Sequence, residues 1–257
     1  ALAAAQDRGV AVRVLIDDVG ARYSRPPIDR DLEARGVRTA RFMPVRNPSL
    51  IGFVNLRNHR KLLAVDGEVA FVGGMNIRHG NRLRCDPASP VQDVHFRVRG
   101  PVIDALMEVF EQDWEFATGE PVNLPVPLDE TPAQNVTGRV RVISDGPDDG
   151  EDRLQWAFLA ALGAARTRAR IVTPYFLPNE VLSSALEAAM HRGIEVEIVV
   201  PRRSNLFFFD WPMAAVFEQL VARGAHVFLA EPPFDHSKIF LVDEFPESAY
   251  RADAQQR

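Results

Sequence analysis

The stretch that decides the fold reads His59-Arg60-Lys61-Leu62-Leu63-Ala64-Val65-Asp66, and it recurs as His236-Ser237-Lys238-Ile239-Phe240-Leu241-Val242-Asp243. Both copies have the pattern H-x-K-x4-D. Among the 30 lysines and arginines of the chain, only Lys61 and Lys238 are lysines, so both fall inside these copies. A lysine offers a compact ammonium group that a guanidinium does not replace. The two copies therefore indicate a duplicated site rather than a chance match.

An internal repeat surrounds the two copies. Residues 1–16 match residues 185–200, and Leu32–Val37 matches Leu220–Ala225, before each half reaches its own H-x-K-x4-D. Matched segments in the same order are the signature of a duplicated unit. A proline-rich stretch between the halves, residues 121–137, is typical of a connector. We therefore predict two homologous halves, residues 1–125 and 126–257.

The hydrophobic pattern predicts an α/β fold. A helix is expected at 180–192, with Asn179 as its N-cap and Gly193 at its end. Strands are predicted at Val12–Ile16, Leu62–Val65, Ala70–Val72, Ile171–Thr173, Glu195–Val200 and Ile239–Val242. Alternating helices and apolar strands predict, in each half, a mostly parallel sheet flanked by helices.

The two motifs carry a recognisable chemistry. On a strand, side chains at i and i+2 point to the same face, so each histidine would project with its lysine. If the halves pack about a pseudo-twofold axis, two imidazoles and two ammonium groups converge on one cleft. An imidazole can act as nucleophile or general acid, and ammonium groups can neutralise phosphoryl oxygens. This predicts phosphodiester chemistry in two in-line steps through a phosphohistidine, with no metal ion and no other cofactor.

The composition excludes several other classes of protein. One cysteine, Cys85, excludes a disulfide framework and a multi-thiolate metal site. The net charge of -5 gives no overall attraction to nucleic acid, so nucleic acid is not the favoured partner. No apolar run approaches the roughly 20 residues of a spanning helix, and no signal peptide is visible. Membrane contact is therefore expected to be peripheral.

These motifs resemble the phospholipase D superfamily, whose signature is a duplicated H-x-K-x4-D, and within it the bacterial cardiolipin synthases and their phospholipase D-like relatives. The resemblance runs from the first residue to about Asp243. The further segments that support it are Asn58–Gly67, Phe71–Ile77, Gln92–Pro101 and Thr173–Pro178.

The resemblance implies an enzyme that transfers a phosphatidyl group from one phosphatidylglycerol to another at the bacterial cytoplasmic membrane. The alternatives are a phospholipase D or nuclease-like phosphodiesterase that uses water, and an inactive module that binds lipid headgroups.

The family's roles carry over to matching residues. His59 resembles the nucleophile and His236 the acid that protonates the leaving alkoxide, although the near symmetry of the halves allows the reverse. Lys61 and Lys238 would hold the phosphoryl oxygens. Asn76, seventeen residues after His59, matches a family asparagine that also binds phosphate.

Three carboxylates complete the expected site. Asp93 falls where the family often has an acid that orients a catalytic histidine. Asp66 and Asp243 end the two motifs, and we expect them to fix the exit from strand to turn rather than to take part in the chemistry. Gly74 stands where many relatives have a small residue or serine.

Other conspicuous residues receive structural or surface interpretations. These are the histidines outside the motifs, with His95 singled out because it lies two residues from Asp93, together with Cys85 and the arginine-rich stretch Arg35–Arg60. The aromatic run Leu206–Met213 is interpreted either as a buried element or as a cleft wall or interfacial loop for acyl chains.

The sequence departs from the family pattern at both ends, so the chain is expected to be truncated there. The family's first strand and upstream membrane anchor are missing before Ala1. After Asp243 the family continues with a Gly-Ser-x-Asn segment and a carboxylate, whereas here the residue seventeen past His236 is Asp253 and the tail is polar.

Overall fold

The computed structural model describes residues 1–22, 26–44, 58–85, 88–122, 138–145, 152–205 and 210–243. The helices are α1 Leu2–Gln6, α2 Asp18–Ala21, α3 Ile28–Ala34, α4 Val102–Thr118, α5 Arg153–Ala164, α6 Glu180–His191 and α7 Asp210–Ala222. The strands are β1 Arg13–Asp17, β2 Arg38–Phe42, β3 Leu62–Val65, β4 Val69–Gly73, β5 Val91–Gln92, β6 His95–Val98, β7 Arg168–Val172, β8 Glu195–Pro201, β9 His226–Ala230, β10 Phe234–Asp235 and β11 Ile239–Val242.

The chain forms two compact units. The first contains residues 1–72 and 96–147, and the second contains residues 73–95 and 148–257. Residues 73–95 belong to the second unit because β5 pairs in parallel with β10, with Val91 opposite Phe234. The division into compact units therefore differs from the division into repeated halves. The boundary between the halves, at residues 125 and 126, stays a prediction.

The first unit combines a parallel and an antiparallel pair of strands. β1 and β2 are parallel, whereas β3 and β4 form an antiparallel hairpin in the sheet β3-β4-β6. The hairpin turns at Asp66 and Gly67, whose φ angles are 55° and 70°. An Asp-Gly pair with positive φ favours a tight hairpin, which explains why this half is not mostly parallel as we had expected.

The core of the first unit lies between α4 and the hairpin. Ile103, Leu106 and Met107 follow helical spacing and pack with Ala70 of β4. The helix is followed by Gly119, whose φ of 72° is left-handed. Glycine adopts this conformation without strain because it has no Cβ. α4 is therefore fixed against the strand that follows the first motif.

The second unit contains a four-stranded sheet in the order β11-β7-β8-β9. β7, β8 and β9 are parallel, and β11 joins antiparallel to β7, so the expectation of a mostly parallel sheet is confirmed in this unit. Its core combines one face of this sheet with helices α5, α6 and α7. The buried members are Leu162, Ala165, Ala169, Ile171, Phe176, Leu186, Ala189, Ile194, Val196, Ile198, Val200, Leu220 and Ala225.

The internal repeat is visible in the backbone. Gly9 after α1 and Gly193 after α6 have φ angles of 87° and 84°. Arg13 of β1 pairs with Arg38 of β2, and at the corresponding positions Glu197 of β8 pairs with His226 of β9. The prediction of an α/β fold with two related halves is confirmed.

The best-defined predicted helix is also confirmed. α6 runs from Glu180 to His191, and the side chain of Asn179 accepts a hydrogen bond from the Leu182 N–H at 2.9 Å. This is the capping arrangement that the sequence predicts.

Candidate active site

The first motif begins immediately before β3 and contains that strand. His59 and Lys61 precede the strand rather than belonging to it, and His59 is exposed. Lys61 Nζ donates a hydrogen bond to the backbone carbonyl of His59 at 2.6 Å. This bond turns the lysine side chain back toward its own histidine.

An acidic residue of α4 holds the backbone around His59. Asp113 Oδ2 accepts a hydrogen bond from Asn58 Nδ2 at 2.7 Å, and Oδ1 accepts from Arg60 Nη1 at 2.5 Å. Asn58 Oδ1 in turn accepts from the Arg60 N–H at 2.9 Å. The two neighbours of His59 are thus fixed to one carboxylate on a packed helix.

The second motif is positioned by the short β5–β10 pair. Asp235 lies opposite Gln92 in register, and the His236 N–H donates to the Gln92 carbonyl at 2.8 Å. The residue directly after β5 is Asp93, and its Oδ2 lies 2.9 Å from His236 Nδ1. Backbone pairing therefore places this carboxylate against an imidazole 143 residues away.

The contact between Asp93 and His236 constrains the hydrogen bonding of the imidazole ring. The Asp93 side chain is 1% exposed and that of His236 is 23% exposed. An ionised carboxylate only accepts hydrogen bonds, so Nδ1 of the ring is the donor in this contact. Lys238 Nζ lies 2.8 Å from both Nδ1 and Nε2 of that ring, and it donates to the His236 carbonyl at 2.6 Å.

Of two consecutive glycines, Gly74 makes room for the acid and Gly73 for the residues that follow it. A Cβ at Gly74 would lie 2.3 Å from Asp93 Oδ1, and a Cβ at Gly73 would lie 2.8 Å from His95 Nδ1. Both distances are far below a normal contact between non-bonded atoms, so a side chain at Gly74 would displace the carboxylate. Gly74 is therefore a packing requirement of the Asp93 position.

The two aspartates that end the motifs share an unusual backbone conformation. Asp66 and Asp243 have φ angles of 55° and 57°. The Asp243 carboxylate accepts hydrogen bonds from the backbone N–H groups of Arg166, Thr167 and Arg168. These bonds, led by that from Thr167, lower the pKa of Asp243 to about 2. Both positions favour the structural role expected for these residues.

The remaining predicted residues are also placed. Asn76 is exposed and lies in the second unit, in the segment that leads from Gly74 toward β5. His95 starts β6, and its Nδ1 is buried without a hydrogen-bond partner among the described residues. It is His236, not the neighbouring His95, that contacts Asp93. Within the described ranges, no three His, Cys, Asp or Glu side chains group closely enough to hold a metal ion.

Comparison with known proteins was made at the level of family and of individual relatives. The family described as "Cardiolipin synthase, PLD-like domain" matches residues 1–114 and 158–248, which is more than half of the chain. The chain belongs to this family. The match includes both H-x-K-x4-D motifs and Asp93.

Individual relatives agree with this assignment. A cardiolipin synthase of Geobacillus thermodenitrificans is 34% identical over 240 residues, covering 92% of this chain and 47% of that protein. Cardiolipin synthase A of Pseudomonas syringae is 35% identical over 238 residues, covering 91% and 48%. The chain therefore spans about half the length of the curated relatives it matches.

A solved structure supports the fold. The crystal structure of phosphatidylserine synthase from Haemophilus influenzae aligns with a TM-score of 0.59 and 15% identity, covering 90% of this chain and 63% of that one. At this identity the likeness concerns the fold alone, which is that of the phospholipase D-like family.

Two features of this family member were not predicted from the sequence. One is Asp113, for which the sequence carries no motif or spacing signal. The other is Tyr175, whose hydroxyl donates to Asn205 Oδ1 and whose pKa is raised by burial. The ring centroids of Tyr175 and Phe234 are 6.5 Å apart, and those of Phe234 and His236 are 6.3 Å apart. Tyr175 therefore belongs to the aromatic surroundings of the second histidine.

The predicted aromatic run lies partly outside the described residues. Positions 206–209 are not described, so the choice between a core element and a lipid-facing loop stays a prediction. Of the described part, Trp211 is 89% exposed, whereas Met213 is buried and its sulfur accepts from the Phe176 N–H at 3.3 Å. The start of α7 thus has one exposed and one buried face.

Proposed function

We propose that this chain is the catalytic part of a phosphatidyltransferase of the cardiolipin synthase type. It moves a phosphatidyl group from one phosphatidylglycerol to a second one, forming cardiolipin and releasing glycerol. Family membership and the named relatives support the reaction class. The duplicated histidine–lysine pairs support the division of the reaction into two steps.

In the first step, Nε2 of His59 attacks the phosphorus of phosphatidylglycerol. The bond from phosphorus to the glycerol oxygen breaks, and the leaving alkoxide takes a proton from His236. In the second step, the primary hydroxyl of another phosphatidylglycerol gives its proton to His236 and attacks the phosphohistidine. The phosphorus–nitrogen bond breaks, His59 is regenerated, and charge and protons balance over the cycle.

The observation that carries this proposal is the contact between Asp93 and His236. A buried carboxylate on Nδ1 stabilises the protonated ring, so His236 can hold a proton for the leaving group and take one from the acceptor. Lys238 Nζ lies 2.8 Å from both nitrogens of the same ring, so the ammonium group is close to the position proposed for the phosphoryl oxygens. We assign the acid–base role to His236 on this basis, and the nucleophilic role to His59.

The remaining site residues have supporting roles. Lys61 and Lys238 neutralise the non-bridging phosphoryl oxygens, whose charge grows in the five-coordinate state. Asn76 donates to the same oxygens from the segment next to Asp93. Asp66 and Asp243 hold the ends of the two motif strands and do not contact the substrate.

The substrate class determines where the protein works. We propose that the chain acts on phospholipid at the surface of the bacterial cytoplasmic membrane. Among the described residues, no helix is both long and apolar enough to cross a bilayer. The contact proposed for these residues is therefore peripheral.

A phosphohistidine trap tests the proposal. The chain is incubated with phosphatidylglycerol labelled in the phosphate, denatured without acid, and assayed for protein-bound label. We expect label in the wild type, none in His59→Ala, and label as in the wild type in His191→Ala, an exposed histidine outside both motifs.

Product analysis separates the alternatives. Cardiolipin and glycerol support the transferase, whereas phosphatidic acid and glycerol identify a hydrolase that uses water for the second step. Lipid binding with neither label nor product identifies an inactive headgroup-binding module and overturns the proposal.

A further inference from the structure

The segment between β4 and β5 contains three arginines and one acid, Asp86, although the whole chain is acidic. From Val69 to Cys85 the sequence contains no aspartate or glutamate, whereas the net charge of the chain is -5. Arg78, Arg82 and Arg84 lie in this stretch and are all exposed. We call residues 77–85 the arginine loop. A local charge of this sign favours an anionic partner.

In the described part of the second unit, no carboxylate forms an ion pair with an arginine of the loop. Elsewhere in the second unit, Arg168, Arg202 and Arg223 each pair with a glutamate. In the part of the chain that the structure describes, none of the three loop arginines pairs with a carboxylate. Their guanidinium groups are therefore available to phosphates outside the protein.

Aliphatic side chains accompany the arginines. Ile77 is 98% exposed and Leu83 is 43% exposed. An exposed isoleucine beside guanidinium groups suits the boundary between headgroups and acyl chains, where the aliphatic part enters and the charges stay with the phosphates. The loop contains no Phe, Tyr or Trp on which nucleic-acid bases would stack. This combination favours a bilayer over a nucleic acid.

The loop is anchored beside the second histidine. Asn81 Nδ2 donates to the Val91 carbonyl at 3.1 Å, and Val91 pairs with Phe234 in the β5–β10 pair. That pair leads directly to Asp93 on one strand and to His236 on the other. A membrane bound by the arginine loop would therefore lie next to this centre.

We infer that the arginine loop is a docking surface for a bilayer with anionic headgroups. This inference rests on the proposed function, because it assumes a phospholipid substrate, and it adds the surface by which the chain reaches that substrate. The arginines bind headgroup phosphates and Ile77 enters the layer below them.

Vesicle co-sedimentation tests the inference. The wild type is compared with the triple variant Arg78→Gln, Arg82→Gln, Arg84→Gln on vesicles of phosphatidylglycerol with phosphatidylcholine, and on phosphatidylcholine alone. At low salt each arginine contributes about fivefold to partitioning, so the triple variant should bind anionic vesicles up to about 100-fold more weakly. Both proteins should bind phosphatidylcholine vesicles weakly and equally.

A charge-matched control separates the effect of the loop arginines from the effect of the net charge of the chain. The triple variant Arg30→Gln, Arg97→Gln, Arg99→Gln removes the same charge from exposed positions in the first unit. We expect its binding to change by less than about threefold, because these arginines do not belong to the proposed docking surface. About 1 M salt should remove the difference between the loop variant and the wild type.

A separate variant tests the contribution of the apolar side chain of Ile77 to vesicle binding. Ile77→Ser should weaken binding to anionic vesicles by about tenfold and leave the salt dependence unchanged, since the lost term is burial of apolar surface. Val181→Ser, at another exposed aliphatic residue of the same unit, serves as the control and should bind as the wild type does.

Three results would overturn the inference. The loop variant and the charge-matched control could lose the same amount of vesicle binding, or the loop variant could bind vesicles as the wild type does. The third result is arginine-dependent binding to an oligonucleotide with no preference for anionic vesicles. The proposed function fails separately. The phosphohistidine trap with a short-chain, monomeric phosphatidylglycerol needs no bilayer, so the loop variant should form label normally. Loss of label from the wild type would overturn the function and leave the vesicle result valid.

Discussion

The two H-x-K-x4-D motifs have the same local geometry but are held by different surroundings. In each, the lysine Nζ donates to the carbonyl of its histidine at 2.6 Å, and the final aspartate has a φ near 55°. The first motif is fixed from α4 by Asp113, which bonds the residues on either side of His59. The second has a buried Asp93 on the imidazole itself. The motif thus encodes the histidine–lysine pair, and residues distant in sequence determine how each pair is positioned.

Replacement of either motif histidine by alanine is expected to have the largest effect on phosphatidyl transfer. His59→Ala and His236→Ala should each lower phosphatidyl transfer by about 10³-fold or more. With a phosphodiester whose leaving group is p-nitrophenolate, no acid is needed, so His236→Ala should still form protein-bound label while His59→Ala does not. Burst kinetics measure this difference. The opposite pattern would reverse the roles assigned to the two motifs.

Asp93→Asn should lower transfer by about 100-fold, because an amide favours the wrong protonation pattern on His236. Asp93→Glu keeps the carboxylate and should retain more activity than the amide. On the p-nitrophenyl substrate the loss should shrink, since the acid step is bypassed. An equal loss on both substrates would indicate that Asp93 supports the structure only.

Gly74→Ala should act through the same carboxylate. The added Cβ would meet Asp93 Oδ1 at 2.3 Å, so we expect about tenfold lower transfer and a stability loss of about 1–3 kcal/mol. Gly163→Ala is the matched control, because nothing lies within 4 Å of a Cβ there. Activity and thermal unfolding of the two variants give the comparison, and similar behaviour would contradict the proposed crowding.

Asp113→Ala should loosen the first motif without touching the second. Loss of its bonds to Asn58 and Arg60 is expected to destabilise the protein by about 1–3 kcal/mol and to slow label formation on His59. Glu115→Ala, at an exposed position of the same helix, should change neither. Unchanged label formation in the Asp113 variant would show that α4 does not position His59.

The smallest effects are expected for replacement of the motif aspartates, and the effect on stability should differ between Asp243 and Asp66. The pKa of Asp243 is about 2, below the value of about 4 in an unfolded chain, so its stabilisation is present above about pH 4 and is lost as the pH falls toward 2. Asp243→Asn should lower the melting temperature at pH 7 and flatten its acid dependence. Asp66→Asn should have little effect, because asparagine tolerates the positive φ of this turn. Equal effects would indicate equivalent roles.

Sequence patterns predicted the parts of the site that depend on local order. The duplicated motifs, the repeat and the capped helix after Asn179 are all visible as spacing. The antiparallel hairpin after His59 was not predicted, because the alternation of helices and apolar strands favours a mostly parallel sheet. The role of Asp93 came from family resemblance, and only the β5–β10 pairing identifies His236 as its partner. Asp113 carries no spacing signal, since its contacts depend on how α4 packs.

The β5–β10 pair comprises only two residues on each strand, with Val91 opposite Phe234 and Asp235 opposite Gln92. Because so few backbone bonds align the acid with its imidazole, mild denaturant could detach residues 73–95 while the β7–β9 sheet stays folded. Catalytic competence would then disappear before circular dichroism registers unfolding. For this protein, retained secondary structure is therefore a poor measure of a functional centre.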